Sequence, residues 1–151
     1  MVRKILARGF LALTLAFAPS AFAADDPETP KSLTGGKVLS AAEAKAMTGK
    51  AAFFDMRKAV SYGKGHLPGA QPLPYDQKSD KAENFDAAMD KFDLSQLPAD
   101  KSATVVFYSD GPTGWKSYKA AVIAIRNGYT NVSWFRGGTA EWEAKGFPLE
   151  Q

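Results

Sequence analysis

The chain contains no cysteine among its 151 residues and only one histidine, His66. The lack of cysteine excludes disulfides, thiolate metal sites and every reaction that needs a thiolate nucleophile. Because the chain has only one histidine, we expect no transition-metal site. No cofactor is predicted from the sequence. Apolar burial and hydrogen bonds must therefore hold the fold together.

Excess positive charge is confined to the N-terminus. The formal net charge is +3, and Arg3, Lys4 and Arg8 account for it. An apolar run at 9–18 and small residues at 21–24 follow, which completes the three-part pattern of a secretory signal peptide. Cleavage after Ala23 lowers the count of Lys and Arg from 19 to 16, which equals the 16 acidic residues.

Residues 1–23 are thus predicted to be a signal peptide, and the mature chain to be periplasmic or secreted. A membrane anchor is the less favoured interpretation, because the apolar run is shorter than the roughly 20 residues of a span. No membrane insertion is expected after cleavage. The neutral mature chain also gives no electrostatic reason to expect nucleic acid or an anionic membrane as a partner.

The remaining residues suit one domain, since typical domains contain about 100–150 residues. Residues 24–36 are rich in Asp, Pro and Gly and are predicted to be a flexible, exposed leader. The domain is expected to occupy 37–151. It begins with a capping box, Ser40 and Glu43, which opens a short helix through Met47. The run 103–108 is continuously apolar, as in a strand that is covered on both faces.

The other predicted elements are a strand at 51–55, an amphipathic helix at 81–92, a helix around 118–125, a strand at 131–135 and a last helix through 140–144. Strands that alternate with helices predict an α/β fold with a mostly parallel central sheet flanked by helices. Ligands of such folds bind at the carboxyl ends of the strands.

The loop after the strand at 103–108 is the candidate ligand-binding segment. It starts at Ser109, ends in a helix, and is expected to aim backbone N–H groups at an anion. The expected binding residues are Asp110, Gly111, Pro112, Thr113, Gly114, Trp115 and Lys116. Trp115 is expected to pack inward.

Three blocks resemble the rhodanese-like family from about Lys37 to Leu149. The first contains Asp55-Met56-Arg57 and Gly65-His66-Leu67-Pro68-Gly69-Ala70, and the second contains Gly128-Tyr129, Gly137-Gly138, Trp142 and Gly146-Phe147-Pro148. The third is the 109–116 loop, where the family carries a cysteine that becomes a persulfide. The resemblance implies a rhodanese fold with Ser109 at the nucleophile position and Lys116 at the position of a loop-ending arginine.

The setting of Trp115 is also similar to that in an exported subgroup with a Cys-x-x-Cys-Trp motif. That subgroup is associated with pyrroloquinoline-quinone-dependent catabolism. Both cysteines of its motif would be glycines here, Gly111 and Gly114.

A serine hydroxyl cannot carry transferred sulfur, so the favoured hypothesis is an inactive accessory module that binds a small anion or an exported protein partner. The alternatives are residual sulfur transfer, or a hydrolase or phosphatase-like enzyme in which His66 activates Ser109. We expect His66 to fix its turn instead, and Asp55 and Arg57 to support the pocket. A contact face elsewhere on the domain also stays open.

Overall fold

Five parallel strands form one sheet in the order β1-β5-β4-β2-β3. The computed structural model describes residues 26–151, so the predicted signal peptide lies outside the described residues. The strands are β1 (Lys37–Val38), β2 (Ala52–Asp55), β3 (Gln71–Pro72), β4 (Val105–Tyr108) and β5 (Val132–Phe135). The helices are α1 (Ala41–Met47), α2 (Ala59–Lys64), α3 (Trp115–Arg126) and α4 (Gly138–Ala144). The predicted α/β fold with a parallel sheet is confirmed.

Side chains of β4 alternate between two cores, one on each face of the sheet. Val105 and Phe107 join the core under α3, whereas Val106 and Tyr108 join the core under α1 and α4. All four are fully buried. A strand covered on both faces needs no polar alternation, which explains the continuous apolar run in the sequence.

The predicted helix boundaries follow local signals. Ser40 accepts a hydrogen bond from the backbone N–H of Glu43, and the Glu43 carboxylate accepts one from the N–H of Ser40, so the capping box of α1 is confirmed. Helix α3 ends before Gly128, whose φ of 91° is a left-handed conformation that glycine adopts without strain. Among the described residues, no helix is long and apolar enough to cross a membrane.

The prediction of an amphipathic helix at 81–92 is wrong. Only Ala87–Met89 forms a short 3₁₀ turn, and Met89, which was to face the core, is 50% exposed. Instead the Asp90 carboxylate turns inward and accepts bonds from Tyr75 Oη, Ser79 Oγ and the backbone N–H of Lys78 and Ser79. These tertiary hydrogen bonds outweigh the helical periodicity of the segment.

The buried Asp90 carboxylate also forms an ion pair with the buried side chain of Lys119. Lys119 of α3 has no exposed side-chain area, and its Nζ lies 2.8 Å from Ser79 Oγ and 3.8 Å from Asp90 Oδ2. Burial lowers the pKa of Lys119. The segment 75–92 is therefore fastened by polar contacts to the helix that follows the candidate loop.

Most residues of 26–36, the described part of the predicted leader, are exposed, but two are buried. The buried residues are Thr29 and Leu33, and Leu33 belongs to the core under α3. We name residues 26–33 the N-terminal strap. Its hydrogen bonds reach the loop between β4 and α3, so the strap belongs to the candidate site.

Candidate functional site

The carboxyl ends of β2, β4 and β5 bring the candidate residues to one edge of the sheet. Ser109 directly follows β4, Arg57 lies two residues beyond the end of β2, and Arg136 directly follows β5. Because the three strands are parallel neighbours, the segments that leave them meet at this edge.

The hydroxyl of Ser109 is buried and already hydrogen-bonded. It donates to the carbonyl oxygen of Gly114 at 3.2 Å and lies 3.1 Å from Ser117 Oγ. Ser117 Oγ in turn donates to Gly114 O and accepts a bond from the indole Nε1 of Trp134. Ser109 is only 2% exposed. The hydroxyl therefore faces oxygen atoms of the protein.

The loop closes tightly over Ser109. A Cβ at Gly114 would lie 2.2 Å from Ser109 Oγ and 2.8 Å from Gly111 O, so no side chain fits there. The N–H of Gly114 donates to Gly111 O, and that of Trp115 donates to Thr113 O. These two amides are used in turns of the loop, so they are not available to an anion beside Ser109.

Helix α4 holds the start of the same loop. The backbone N–H of Thr139 donates to Ser109 O at 3.1 Å, and that of Ala140 donates to Asp110 O at 2.9 Å. Gly138 has φ 54°, and a Cβ there would lie 2.3 Å from Ser109 O. This close approach and the positive φ explain the glycine at position 138, the first residue of α4.

The outer face of the loop is open to solvent. Asp110, Pro112 and Thr113 are exposed and Lys116 is half-buried. Trp115 packs inward, as predicted, with 5% of its surface exposed and its ring edge-on to Tyr118 at 5.5 Å.

Asp55 and Arg57 form a buried ion pair. Arg57 Nη2 lies 2.7 Å from Asp55 Oδ2 and donates to Gly65 O, while Tyr108 Oη donates to Asp55 Oδ2 at 2.8 Å. Burial alone would lower the pKa of Arg57, but the hydrogen bond and charge of Asp55 outweigh it and the pKa is raised. Burial, followed by the charge of Asp55, raises the pKa of Tyr108, so its hydroxyl stays protonated and donates. The network ties β2 and β4 to the turn at 65–67.

His66 lies in that turn and not against Ser109. Its Nδ1 is 3.1 Å from Tyr62 O, its ring stacks on Tyr62 at 3.8 Å, and its backbone pairs with that of Glu150. Ser109 is not among the hydrogen-bond partners of His66 in the described chain. The contacts match the expected role of His66 in fixing the turn.

A small polar cavity of about 180 Å³ lies at the end of β2. Its lining residues are Arg57, Ser61, Lys64, Gly65, Thr139, Glu143 and Leu149. Arg57 uses Nε and Nη2 for Asp55 and Gly65. Within residues 26–151, Nη1 has no hydrogen-bond partner, so it can donate to a small bound molecule.

The N-terminal strap crosses the outer face of the loop. The Trp115 indole donates to Pro27 O at 2.7 Å, and both the N–H and the hydroxyl of Thr29 donate to Pro112 O, at 2.8 and 2.6 Å. Arg136 donates to the strap from Nε and Nη2. Sequence reasoning missed these contacts, although the place of Arg136 directly after a strand could have indicated it.

In residues 26–151, no group of three or more His, Asp or Glu side chains is arranged to hold a metal ion. The candidate site therefore consists of a closed loop around Ser109, an exposed outer face that the strap partly covers, and a small polar cavity beside Arg57.

Comparison with solved structures places this arrangement among known folds. The rhodanese-like domain from an Anabaena sp. protein is 26% identical over 74% of this chain and 76% of that one, with a TM-score of 0.54. A thiosulfate sulfurtransferase from Pseudomonas aeruginosa is 21% identical over 78% of this chain and 21% of that chain, with a TM-score of 0.56.

A third similar structure is a Rhodopseudomonas palustris protein described as a possible tyrosine phosphatase. It is 19% identical over 82% of this chain and 98% of that chain, with a TM-score of 0.54. No curated protein matches the chain.

Residues 40–145 match the model of the rhodanese-like domain family. The match begins at the cap of α1 and ends one residue after α4, so it includes Ser109 and the Asp55–Arg57 pair but not the strap. The chain, which lacks cysteine altogether, belongs to the family of rhodanese-like domains.

Proposed function

We propose that this protein is an exported, non-catalytic rhodanese-like domain that works as a binding module. Its contact surface is the outer face of the 109–116 loop, and its ligand is an exported protein partner. The observation that carries the proposal is the Ser109 hydroxyl, which is buried at the nucleophile position between Gly114 O and Ser117 Oγ.

Sulfur transfer through a covalent intermediate needs a thiolate that attacks a sulfane donor and then holds the sulfur. The chain has no thiol. The space in front of Ser109 is also filled, since Gly114 O of the loop and Ser117 Oγ of α3 both lie within 3.2 Å of the hydroxyl oxygen. Both facts support loss of sulfurtransferase activity.

A serine hydrolase needs a base that takes the hydroxyl proton. The Ser109 hydroxyl donates to Gly114 O and contacts Ser117 Oγ, and neither oxygen is a base at neutral pH. His66 uses Nδ1 toward Tyr62 O. These contacts favour the binding module over the Ser109-dependent hydrolase or phosphatase-like alternative.

A protein partner is favoured over an anion at the loop itself. The amides of Gly114 and Trp115 are used internally, and the exposed carboxylate of Asp110 repels an anion. Exposed Pro112 and Thr113 instead offer an apolar and a hydroxyl-bearing contact beside the N-terminal strap.

The polar cavity beside Arg57 favours a small anion as a second candidate ligand. Arg57 and Lys64 supply positive charge, which exceeds the single negative charge of Glu143 in the lining, and Ser61 supplies a hydroxyl group. Sulfate, thiosulfate and phosphate are tested by titration with NMR detection. We expect binding that Lys64→Ala weakens and that the exposed control Lys50→Ala leaves unchanged. Equal effects of the two variants would remove this candidate.

The loss of catalysis is tested with thiosulfate as donor and cyanide as acceptor. We expect the mature chain to transfer sulfur no faster than its Ser109→Ala variant. A clear excess of activity over that variant, or a gain of one sulfur atom by the protein during turnover, would refute the proposal.

Binding of a partner to the loop is tested by site-specific crosslinking, which is possible because the chain has no native cysteine. Thr113→Cys places a single thiol on the outer face of the loop, where a photo-crosslinker is attached. Lys50→Cys, beyond α1, is the matched control. A partner from the exported fraction should crosslink at position 113 and not at 50, and excess unlabelled protein should compete. Equal capture at both positions contradicts a binding surface on the loop.

A further inference from the structure

The N-terminal strap meets the domain as an extended peptide meets a receptor, mainly through its backbone. Pro27 O accepts from Trp115, and the N–H of Thr29 donates to Pro112 O. The carbonyl oxygens of Thr29 and Pro30 accept from Arg136 at 3.0 Å each. Main-chain bonds of this kind give affinity for an extended segment, and side-chain pockets give specificity.

Two strap side chains add chemical selectivity. The Thr29 side chain is buried, and its hydroxyl donates to Pro112 O and accepts from Arg136 Nε at 3.1 Å. The Glu28 carboxylate lies 3.2 Å from Arg136 Nη2. The surface therefore matches an acidic residue that is followed by threonine.

The receiving surface consists of Pro112, Trp115 and Arg136. Tryptophan and arginine are the residue types that most often carry binding energy at interfaces. Arg136 is 17% exposed in its side chain, so its positive charge is largely removed from water and is matched by Glu28 and by strap carbonyls.

A cavity of about 570 Å³ continues from the strap beyond Pro30. Its lining residues are Lys31, Val38, Leu39, Pro112, Arg136, Gly137, Ala140 and Glu141. The strap contributes an exposed lysine, Lys31, to this largely apolar space. An apolar side chain at the same place of a bound segment would bury more apolar surface, which favours binding.

We propose that the surface formed by Pro112, Trp115 and Arg136 recognises an extended segment of a protein partner. The segment contains an acidic residue, then Thr-Pro, then an apolar residue. In the structure the strap fills this surface in cis. The inference rests on the proposed function, because it assigns the partner class to a surface that includes Pro112 on the outer face of the loop.

A tethered segment competes strongly with a free one. A short linker gives the tethered strap an effective concentration in the millimolar range. A partner segment must therefore bind more tightly than the strap, and the apolar residue that fills the cavity supplies the difference. The strap thus keeps the surface closed to segments that match only its Glu-Thr-Pro part.

The test uses the mature chain and labelled peptides. The first peptide has the sequence of residues 26–32, and the second carries phenylalanine at the position of Lys31. Glu28→Ala combined with Thr29→Val weakens the strap and leaves the receiving surface intact. We expect this chain to bind both peptides, with the phenylalanine peptide tighter, and the wild-type chain to bind both more weakly.

Arg136→Ala in the strap-weakened chain should reduce peptide affinity about tenfold or more, as for other anchor residues. Arg126→Ala, an exposed arginine at the far end of α3, is the matched control and should leave affinity unchanged. If the double variant does not fold, Thr29→Val alone replaces it, since it removes only the buried hydroxyl bonds.

Absence of binding at millimolar peptide, or binding that Arg136→Ala leaves unchanged, overturns the inference. The inference is also overturned if the wild-type chain forms a dimer and Thr29→Val makes it monomeric. The receiving surface would then bind the strap of a second copy of this chain. Peptide affinity is measured independently of sulfur transfer. Detection of sulfurtransferase activity would refute the proposed function and leave the peptide result to be judged on its own.

Discussion

The Ser109 hydroxyl and the Gly114 carbonyl oxygen face each other at 3.2 Å, within a loop that has no room for a side chain at position 114. A persulfide at position 109 that kept the direction of the Ser109 side chain would bring a second sulfur atom against the oxygen atoms of Gly114 and Ser117. The shape of the loop therefore opposes a persulfide at position 109, in addition to the absence of a thiol.

Ser109→Cys should not restore sulfur transfer. The larger sulfur atom meets Gly114 O and Ser117 Oγ, and a persulfide needs further space that the closed loop does not offer. Activity of this variant with thiosulfate and cyanide should equal that of Ser109→Ala. Turnover well above the alanine variant would show that the loop opens to accept the sulfur.

Gly114→Ala should lower the free energy of unfolding by about 1–3 kcal/mol, because its Cβ overlaps Ser109 Oγ. Gly111→Ala is the control, since its Cβ comes no closer than 3.4 Å to any atom, and should cost less than about 1 kcal/mol. Urea unfolding measures both variants.

The contact between positions 114 and 109 is tested by combining Gly114→Ala with Ser109→Ala. Removing the hydroxyl should relieve part of the overlap. The loss of unfolding free energy in the double variant should therefore be smaller, by at least about 0.5 kcal/mol, than the sum of the losses in the two single variants. Additive losses would mean that the loop backbone moves away from Ser109 in Gly114→Ala.

Asp90→Asn should destabilise the fold by about 3–5 kcal/mol at neutral pH, because it leaves the buried charge of Lys119 without its counterion. Asp76→Asn, at an exposed carboxylate, should change stability by less than about 0.5 kcal/mol. A small loss in Asp90→Asn would show that Lys119 is neutral or finds another partner.

The stability of the wild type should also depend on pH through Asp90. Burial raises the pKa of Asp90, but hydrogen bonds from Ser79, Tyr75 and Lys78 outweigh it, so the folded-state pKa lies below the ordinary value of 3.8. The unfolded chain then binds the proton more readily. The stabilisation is present above pH 3.8 and is lost as the pH falls through the folded-state pKa. Unfolding of Asp90→Asn between pH 5 and pH 2 should vary less with pH.

Tyr108→Phe should cost about 1–3 kcal/mol, because the N–H of Leu67 loses its acceptor and Asp55 loses a donor inside the core. Tyr62→Phe removes a single, partly buried bond to Ala70 O and should cost less. Thermal unfolding compares the two. A larger loss in Tyr62→Phe would contradict the supporting role of the Asp55–Arg57–Tyr108 network.

Sequence patterns predicted the elements that depend on local signals or continuous burial. The capping box placed α1, the apolar run placed β4, and Asn127-Gly128 placed the end of α3. Each pattern reports a preference that acts within one element. The Asp-x-Arg block likewise indicated the pair at 55 and 57, because the two residues are adjacent to the same strand end.

Features that depend on distant contacts were not predictable in this way. Asp90 reads as a solvent-facing residue of an amphipathic helix, but hydrogen bonds from Tyr75 and Ser79, in another segment, hold its carboxylate in the core. Thr29 reads as part of a polar leader, yet Pro112 and Arg136 bury it. The short edge strand β3, which has two residues, carries no local signal of its own.

The two ends of the described chain emerge at different places. Asp26 pairs with Lys81, one residue before Pro27 meets the Trp115 indole. Gln151 instead lies near Lys64, beyond the bridge between His66 and Glu150. An affinity tag or reporter fused ahead of Asp26 would crowd Trp115, whereas a fusion after Gln151 would crowd the Arg57 cavity, which Lys64 lines. Tag placement therefore decides which of the two proposed ligand sites an assay can measure.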